Sequence, residues 1–103
     1  MQQSSAASGG LPSAAAIHPS PAVVAQRMGD ETVLVHLITN RIYELNRTGS
    51  VFWELLAAGQ DREAIRTQML RRFTVSAAAL DDEIERLVAG LLANELIYSE
   101  IRA

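Results

Sequence analysis

The apolar residues of this 103-residue chain change their spacing near residue 46. Before that point, short segments rich in β-branched residues are separated by turn residues such as Gly29, Asp30 and Asn40, which is typical of strands. In the second such segment, Val33, Val35 and Leu37 fall on one face. The sequence therefore predicts an antiparallel meander of three strands, at residues 22–28, 32–38 and 41–46.

After residue 46 the apolar residues recur at every third or fourth position, which predicts helices. Thr48 or Ser50 is suited to cap the first helix, and Gly59 and Asn94 are suited to end the first and the third. The segment "LIYSEI" that follows predicts a short terminal strand or an extended tail. The predicted helices cover residues 48–58, 61–72 and 77–94, which together with the strands give an α+β fold.

The N-terminal segment differs in composition from the rest of the chain. Residues 1–17 are mostly Ser, Ala and Gly, and they offer too little apolar surface to offset the entropy of ordering them. We predict a disordered tail over 1–17 and one domain over 18–103. No apolar run approaches the roughly 20 residues that span a bilayer, so we expect a cytoplasmic protein without a membrane partner.

Charge and composition exclude several classes of function. Nine basic residues against twelve acidic ones give a net charge of −3, which is unfavourable for a protein that must neutralise the phosphates of nucleic acid. The chain has no cysteine, so disulfides, thiol nucleophiles and thiolate metal sites are excluded. His18 and His36 are predicted to lie on the surface without companion ligands. We therefore expect no catalytic site, no metal and no cofactor.

Phe52 and Trp53 are expected in the core, as aromatic residues at helical spacing usually are. Two other features of the helical segments have more than one interpretation. The broad apolar stripe of the third helix is either central to the core or partly the wall of a groove. The acidic run "DDEIER" at the start of that helix is either a solvated face or a docking surface for basic residues of a partner.

The third predicted strand is followed by no further strand before the helices begin. Tyr43 and Leu45 fall on one of its faces, and Ile42 and Glu44 fall on the other. The chain then enters the first helix directly, so nothing nearby in the sequence is available to pair with the outer edge. We expect this edge to be open to another chain.

Several motifs in this region occur together: the strand "DETVLV", the junction "YELNRTG", the helix "WELL" and the glycine that ends it. With these motifs the chain resembles, over residues 19–97, the PqqD family, which takes its name from the pyrroloquinoline quinone biosynthesis protein D. The segment "HPSPAVVAQR" and the tyrosine-bearing strand are most similar to stand-alone members found with lasso-peptide maturation enzymes. The chain departs from many relatives at His36, Asn40 and Glu95, so Asn94 is expected to take over the end of the third helix.

The resemblance implies a winged helix-turn-helix fold and a role as a RiPP recognition element. Such modules bind the leader segment of a ribosomally made precursor peptide and present it to modifying enzymes. Here the leader would add as an antiparallel strand to residues 41–46 beside the third helix. Ile42, Ile84, Leu87, Val88 and Leu91 would line the cleft, while Leu80 and Leu92 would belong more to the core. The full set of implied peptide-binding residues is Arg41, Ile42, Tyr43, Glu44, Leu45, Asp81, Ile84, Leu87, Val88 and Leu91.

The implied partners are a leader protease and an ATP-dependent cyclase of lasso-peptide type, or alternatively a radical SAM enzyme. Two other classes of function remain open. A winged-helix DNA-binding protein would need a basic recognition helix, and the second helix carries Arg62, Arg66, Arg71 and Arg72, whereas the third begins with acidic residues. A small structural subunit that docks stably on an enzyme is the other alternative.

Overall fold

Two antiparallel sheets and three helices make up residues 16–100, which are the residues that the computed structural model describes. The elements, in chain order, are β1 (Ala16–Pro19), β2 (Val23–Met28), β3 (Glu31–His36), β4 (Ile42–Leu45), α1 (Arg47–Ala57), α2 (Arg62–Arg72), α3 (Ala77–Ala93) and β5 (Ile97–Glu100). The predicted α+β class is confirmed. Each predicted strand and helix is present, and its ends agree with the prediction within two residues.

The first and last strands form a sheet of their own. β1 pairs antiparallel with β5, from Ala16 opposite Glu100 to Pro19 opposite Ile97. The sequence placed Ala16 and Ile17 in the disordered tail, but both lie in β1, because Ile17 buries its side chain in the core. Residues 1–15, the rest of the predicted tail, lie outside the described residues, as do residues 101–103. For the C-terminal segment, the sequence predicted either a short strand or an extended tail. Residues 97–100 form a strand, so the extended tail is wrong for these residues.

The other sheet has the strand order β2-β3-β4, with both neighbouring pairs antiparallel. Its inner face packs against the helices and carries Thr32, Leu34 and His36 of β3, all of them buried. The prediction that His36 lies on the surface is wrong, because its side chain is only 5% exposed. Its Nδ1 accepts hydrogen bonds from the backbone N–H groups of Ile38 and Thr39, and these bonds satisfy this ring nitrogen within the β3–β4 turn.

The three helices begin at side-chain caps and enclose the core. Asn46, not the predicted Thr48 or Ser50, caps α1 by accepting a hydrogen bond from the backbone N–H of Gly49 at 2.9 Å. α1 contributes Phe52 and Trp53 to the core, as predicted. None of the helices within residues 16–100 is long and apolar enough to span a bilayer.

The stripe of α3 divides between the core and other surroundings. Leu80 is buried, as predicted, whereas Leu92 is 39% exposed, so its assignment to the core is wrong. α3 has Asn94 as its C-cap, as expected, and the next residue, Glu95, has a positive φ of 60°, a conformation that glycine adopts most readily. The apolar stripe of α3 is wider than the part of the helix surface that contacts the core, so one edge of the stripe is exposed. The sequence did not show which edge that is.

Candidate functional site

The outer side of β4 is an open sheet edge. Within residues 16–100, no strand pairs with it. On its inner side, His36 donates its backbone N–H to the carbonyl oxygen of Arg41 at 2.9 Å, and the register continues with Leu34 opposite Tyr43. Hydrogen-bonded pairs alternate in an antiparallel ladder, so the backbone groups of Arg41, Tyr43 and Leu45 point toward β3. Those of the two intervening residues, Ile42 and Glu44, point outward.

A groove separates β4 from α3 and has a volume of about 300 Å³. We call it the β4–α3 groove. Its floor is apolar, since Leu45 is buried and Tyr43 and Leu87 are half-buried. Charged side chains stand along its rim, and such a combination suits an extended peptide that alternates apolar and polar residues. The lining residues are Tyr43, Glu44, Leu45, Asn46, Gly49, Glu83, Arg86 and Leu87.

At the other end of β4, the residue before the strand contacts the C-cap of α3. The guanidinium of Arg41 donates a hydrogen bond from Nη1 to Oδ1 of Asn94 at 3.2 Å, and Nδ2 of Asn94 donates to the carbonyl oxygen of Gly90 at 2.8 Å. The hydroxyl of Tyr43 lies directly against α3 at Gly90. β4 is therefore tied to the C-terminal part of α3, and the space between the two elements opens toward Leu45.

The structure brings together only part of the predicted cleft. Leu87 lines the groove as predicted, but Ile84, Val88 and Leu91 are buried in the core. Ile42 is 67% exposed and lies on the outer face of the sheet, away from α3. The reason is the orientation of α3 about its own axis. The centre of its apolar stripe faces the core, and only the side that carries Leu87 faces β4.

Asp81, predicted to contact the peptide, lies between α3 and α2 instead. Its carboxylate accepts hydrogen bonds from Nε of Arg66 at 2.6 Å and from Nη2 at 3.2 Å. The hydrogen bonds from Arg66 hold the pKa of Asp81 below its ordinary value, and the same bonds raise the pKa of Arg66. Nη2 of Arg62 lies 3.5 Å from a carboxylate oxygen of Glu85 in the same interface. Two of the four arginines of α2 thus face acidic residues of α3.

The predicted set of peptide-binding residues did not include five residues of the groove region. Asn46 and Gly49 belong to the cap of α1, which stands beside the end of β4. Glu83 and Arg86 come from the acidic run, and Gly90 receives the Tyr43 hydroxyl. Gly90 carried a usable signal, since a glycine in a helix interior costs about 1 kcal/mol relative to alanine and therefore calls for a packing reason.

Comparison with solved structures finds two similar proteins. TbiB1 in complex with the TbiA(beta) leader peptide has a TM-score of 0.77 and 28% identity, over 82% of this chain and 99% of the TbiB1 chain. A lasso peptide synthetase B1 complexed with the leader peptide has a TM-score of 0.71 over 80% of this chain and 96% of that chain. At 17% identity the second comparison shows a shared fold.

A comparison with curated proteins finds no match. The family model of the coenzyme PQQ synthesis protein D, PqqD, matches residues 31–97. That range is more than half of the chain, and it contains β4, α3 and all the residues that line the β4–α3 groove. The chain therefore belongs to the PqqD family, as its sequence motifs predicted.

Proposed function

We propose that this protein binds the leader segment of a ribosomally made precursor peptide as an added antiparallel strand on β4. The observation that carries the proposal is the open edge of β4, where the backbone groups of Ile42 and Glu44 point outward beside the β4–α3 groove. An extended chain can pair with such an edge through its backbone and direct alternate side chains into the groove. The protein acts by binding, without a catalytic step of its own.

The backbone contribution to affinity is limited. Ile42 and Glu44 together offer two N–H and two C=O groups, and at about 0.5–1.5 kcal/mol for each hydrogen bond they supply roughly 2–6 kcal/mol. The loss of translational and rotational freedom on association is of similar size or larger. Apolar contacts in the groove must therefore supply much of the affinity, and they also supply the selectivity that backbone pairing lacks.

The register of the sheet determines which peptide side chains enter the groove. A strand antiparallel to β4 exchanges hydrogen bonds with Ile42 and Glu44, so the peptide residues opposite these two have side chains on the outer face. The peptide residues opposite Tyr43 and Leu45 direct their side chains toward α3. The groove opens toward Leu45 and is bordered there by Leu87. We therefore expect the peptide residue opposite Leu45 to have a larger apolar side chain than the peptide residue opposite Tyr43.

The comparisons support a leader segment as the class of peptide that binds. TbiB1, which is 28% identical over nearly its whole length, is bound to a leader peptide. This similarity supports a leader segment over an unrelated peptide as the occupant of the edge. We propose that the protein delivers the leader to a leader protease and an ATP-dependent cyclase of lasso-peptide type. The alternative within the same class is delivery to a radical SAM enzyme.

A DNA-binding function is less well supported. Of the arginines on α2, Arg62 and Arg66 lie within 3.5 Å of the carboxylates of Glu85 and Asp81. Their charges are thus largely neutralised within the protein, and the net charge of the chain is −3.

The proposal is tested by backbone amide shifts of the ¹⁵N-labelled protein on titration with a synthetic leader peptide. The peptides to titrate are the TbiA(beta) leader, which is bound by the similar protein TbiB1, and the leader of any short precursor found in the reading frames that neighbour the gene for this protein. We expect the largest shifts at residues 42–46 and 83–90. Shifts confined to residues 62–72 would contradict strand addition and would favour docking of nucleic acid or of an enzyme on α2.

A further inference from the structure

Gly90 lies three residues before the end of α3, in a regular part of the helix. It does not have a positive φ, so its backbone conformation does not require glycine. An added Cβ at this position would lie only 2.7 Å from the Tyr43 hydroxyl oxygen, whereas the next nearest atom, Cζ of Tyr43, would be 3.8 Å away. The glycine thus makes room for one atom, the hydroxyl oxygen of Tyr43.

Tyr43 is bordered by α3 on one side and by β3 on the other. The side chain of Asn94 accepts a hydrogen bond from Arg41, the residue before β4, and donates one to the Gly90 carbonyl within α3. On β3, Leu34 lies opposite Tyr43 in the register and is fully buried. If a methyl group were added at Gly90, the hydroxyl would have to withdraw about 0.7 Å to reach an ordinary contact of 3.4 Å. The space available for that movement is the β4–α3 groove.

Tyr43 is also one of the two residues of β4, with Leu45, that a bound strand would approach most closely. Its backbone groups point toward β3, so the peptide residue opposite it would occupy a non-hydrogen-bonded position. At such positions the two Cα atoms are about 4.5 Å apart and the side chains are in closest contact. A small displacement of the Tyr43 ring therefore changes the space left for the peptide side chains that enter the groove.

We propose that Gly90 is a positioning residue for leader binding, which acts by seating the Tyr43 hydroxyl against α3 and so keeping the β4–α3 groove open for an apolar side chain of the peptide. This inference rests on the proposed function. It assigns a binding role to a residue that does not line the groove and need not touch the peptide. Gly90 acts through Tyr43, so its effect must depend on the presence of the hydroxyl.

The test is a double-mutant cycle with Gly90→Ala and Tyr43→Phe, measured by fluorescence anisotropy of the labelled leader peptide. In the wild-type background we expect Gly90→Ala to weaken binding at least about fivefold, because overpacking at a closed contact displaces the ring. In the Tyr43→Phe background the clashing oxygen is absent and the remaining 3.8 Å contact is ordinary. There we expect Gly90→Ala to change binding by less than about twofold.

Thermal unfolding separates this effect from a loss of structure. Alanine is the better helix former, so Gly90→Ala should not lower the unfolding midpoint when Tyr43 is replaced by phenylalanine. If Gly90→Ala weakens binding equally in both backgrounds, or in neither, the inference about Gly90 is wrong. The proposed function is unaffected by that result as long as the wild-type protein binds the leader. If the wild-type protein does not bind the leader, the proposed function fails and this inference fails with it.

Discussion

The three-stranded sheet ends in β2 on one side and β4 on the other, and the two edges differ in what lies beside them. Leu37 donates its backbone N–H to the carbonyl oxygen of Ala22, so the alternation places the outward groups of β2 at Val23, Ala25 and Arg27. β2 is exposed over five of its six residues, whereas β4 stands next to α3 and shares a groove with it. Both edges offer backbone hydrogen bonds, but α3 gives β4 a second wall for side chains.

The contrast shows why an unpaired strand is by itself a weak indication of a binding site. Arg27 of β2 forms an ion pair with Glu54 of α1, and a charged side chain at an edge discourages pairing with another chain. On β4, Tyr43 and Leu45 contribute apolar surface toward α3. We expect the difference in affinity between the two edges to come from this apolar wall, and the variants that follow are chosen to remove it or to leave it in place.

The largest loss of binding is expected from Leu87→Glu. This change places a carboxylate in the apolar floor of the groove and one helical turn from Glu83, so leader binding should weaken at least about thirtyfold. The matched control on the same helix is Leu92→Glu, since Leu92 is exposed and does not line the groove. We expect the control to bind within about twofold of wild type in the same anisotropy assay. Equal losses in both variants would show that the groove is not the side-chain site.

A smaller but more specific loss is expected from Ile42→Pro. Proline removes one outward N–H of β4 and leaves the bonds to β3 in place, so binding should weaken about tenfold. Ala25→Pro removes an outward N–H from β2 in the same way and is expected to have little effect. Ile42→Ala controls for loss of the side chain, and the midpoint of thermal unfolding checks that each variant is folded. A loss with Ala25→Pro that matches the loss with Ile42→Pro would mean that β4 is not the preferred edge.

The smallest effect is expected from Asp81→Asn, which breaks the ion pair with Arg66 outside the groove. Leader binding should stay within about twofold of wild type, because exposed ion pairs contribute little and Asp81 does not line the groove. A tenfold loss of leader binding would indicate that Asp81 contacts the peptide, as the sequence predicted.

The same variant should alter stability in a way that depends on pH. The folded-state pKa of Asp81 lies below its ordinary value of 3.8, so the carboxylate contributes stability above that pH and loses it as the pH falls through the folded-state pKa. The unfolding midpoint of the variant should therefore lie slightly below that of wild type at pH 7, and the difference should shrink below about pH 3.8. Asp82→Asn, at an exposed neighbouring position, is the control.

The sequence predicted the ends of β4 and the start of α1 within one residue, because alternation and helical spacing are local patterns, but it named Thr48 or Ser50 instead of Asn46 as the cap of α1. It placed Ile42 and Leu45 on opposite faces, and the structure agrees. Patterns of this kind do not show which face meets the core, and His36 was misplaced because its hydrogen bonds to the turn allow a polar ring to be buried. Ile17 was missed since β1 is short and pairs with β5 at the far end of the chain. The rotation of α3 depends on three-dimensional packing, so Ile84 was assigned to the cleft although it is buried in the core.

Hydrogen exchange at individual backbone amides tests strand addition on β4 most directly. Without peptide, the amides of Ile42 and Glu44 point outward and should exchange rapidly, and so should that of Ala25 on β2. With a saturating concentration of the leader peptide, the account predicts strongly slowed exchange at Ile42 and Glu44 and unchanged exchange at Ala25. Unchanged exchange at Ile42 and Glu44 in the bound protein, or slowing at Ala25 instead, would contradict it.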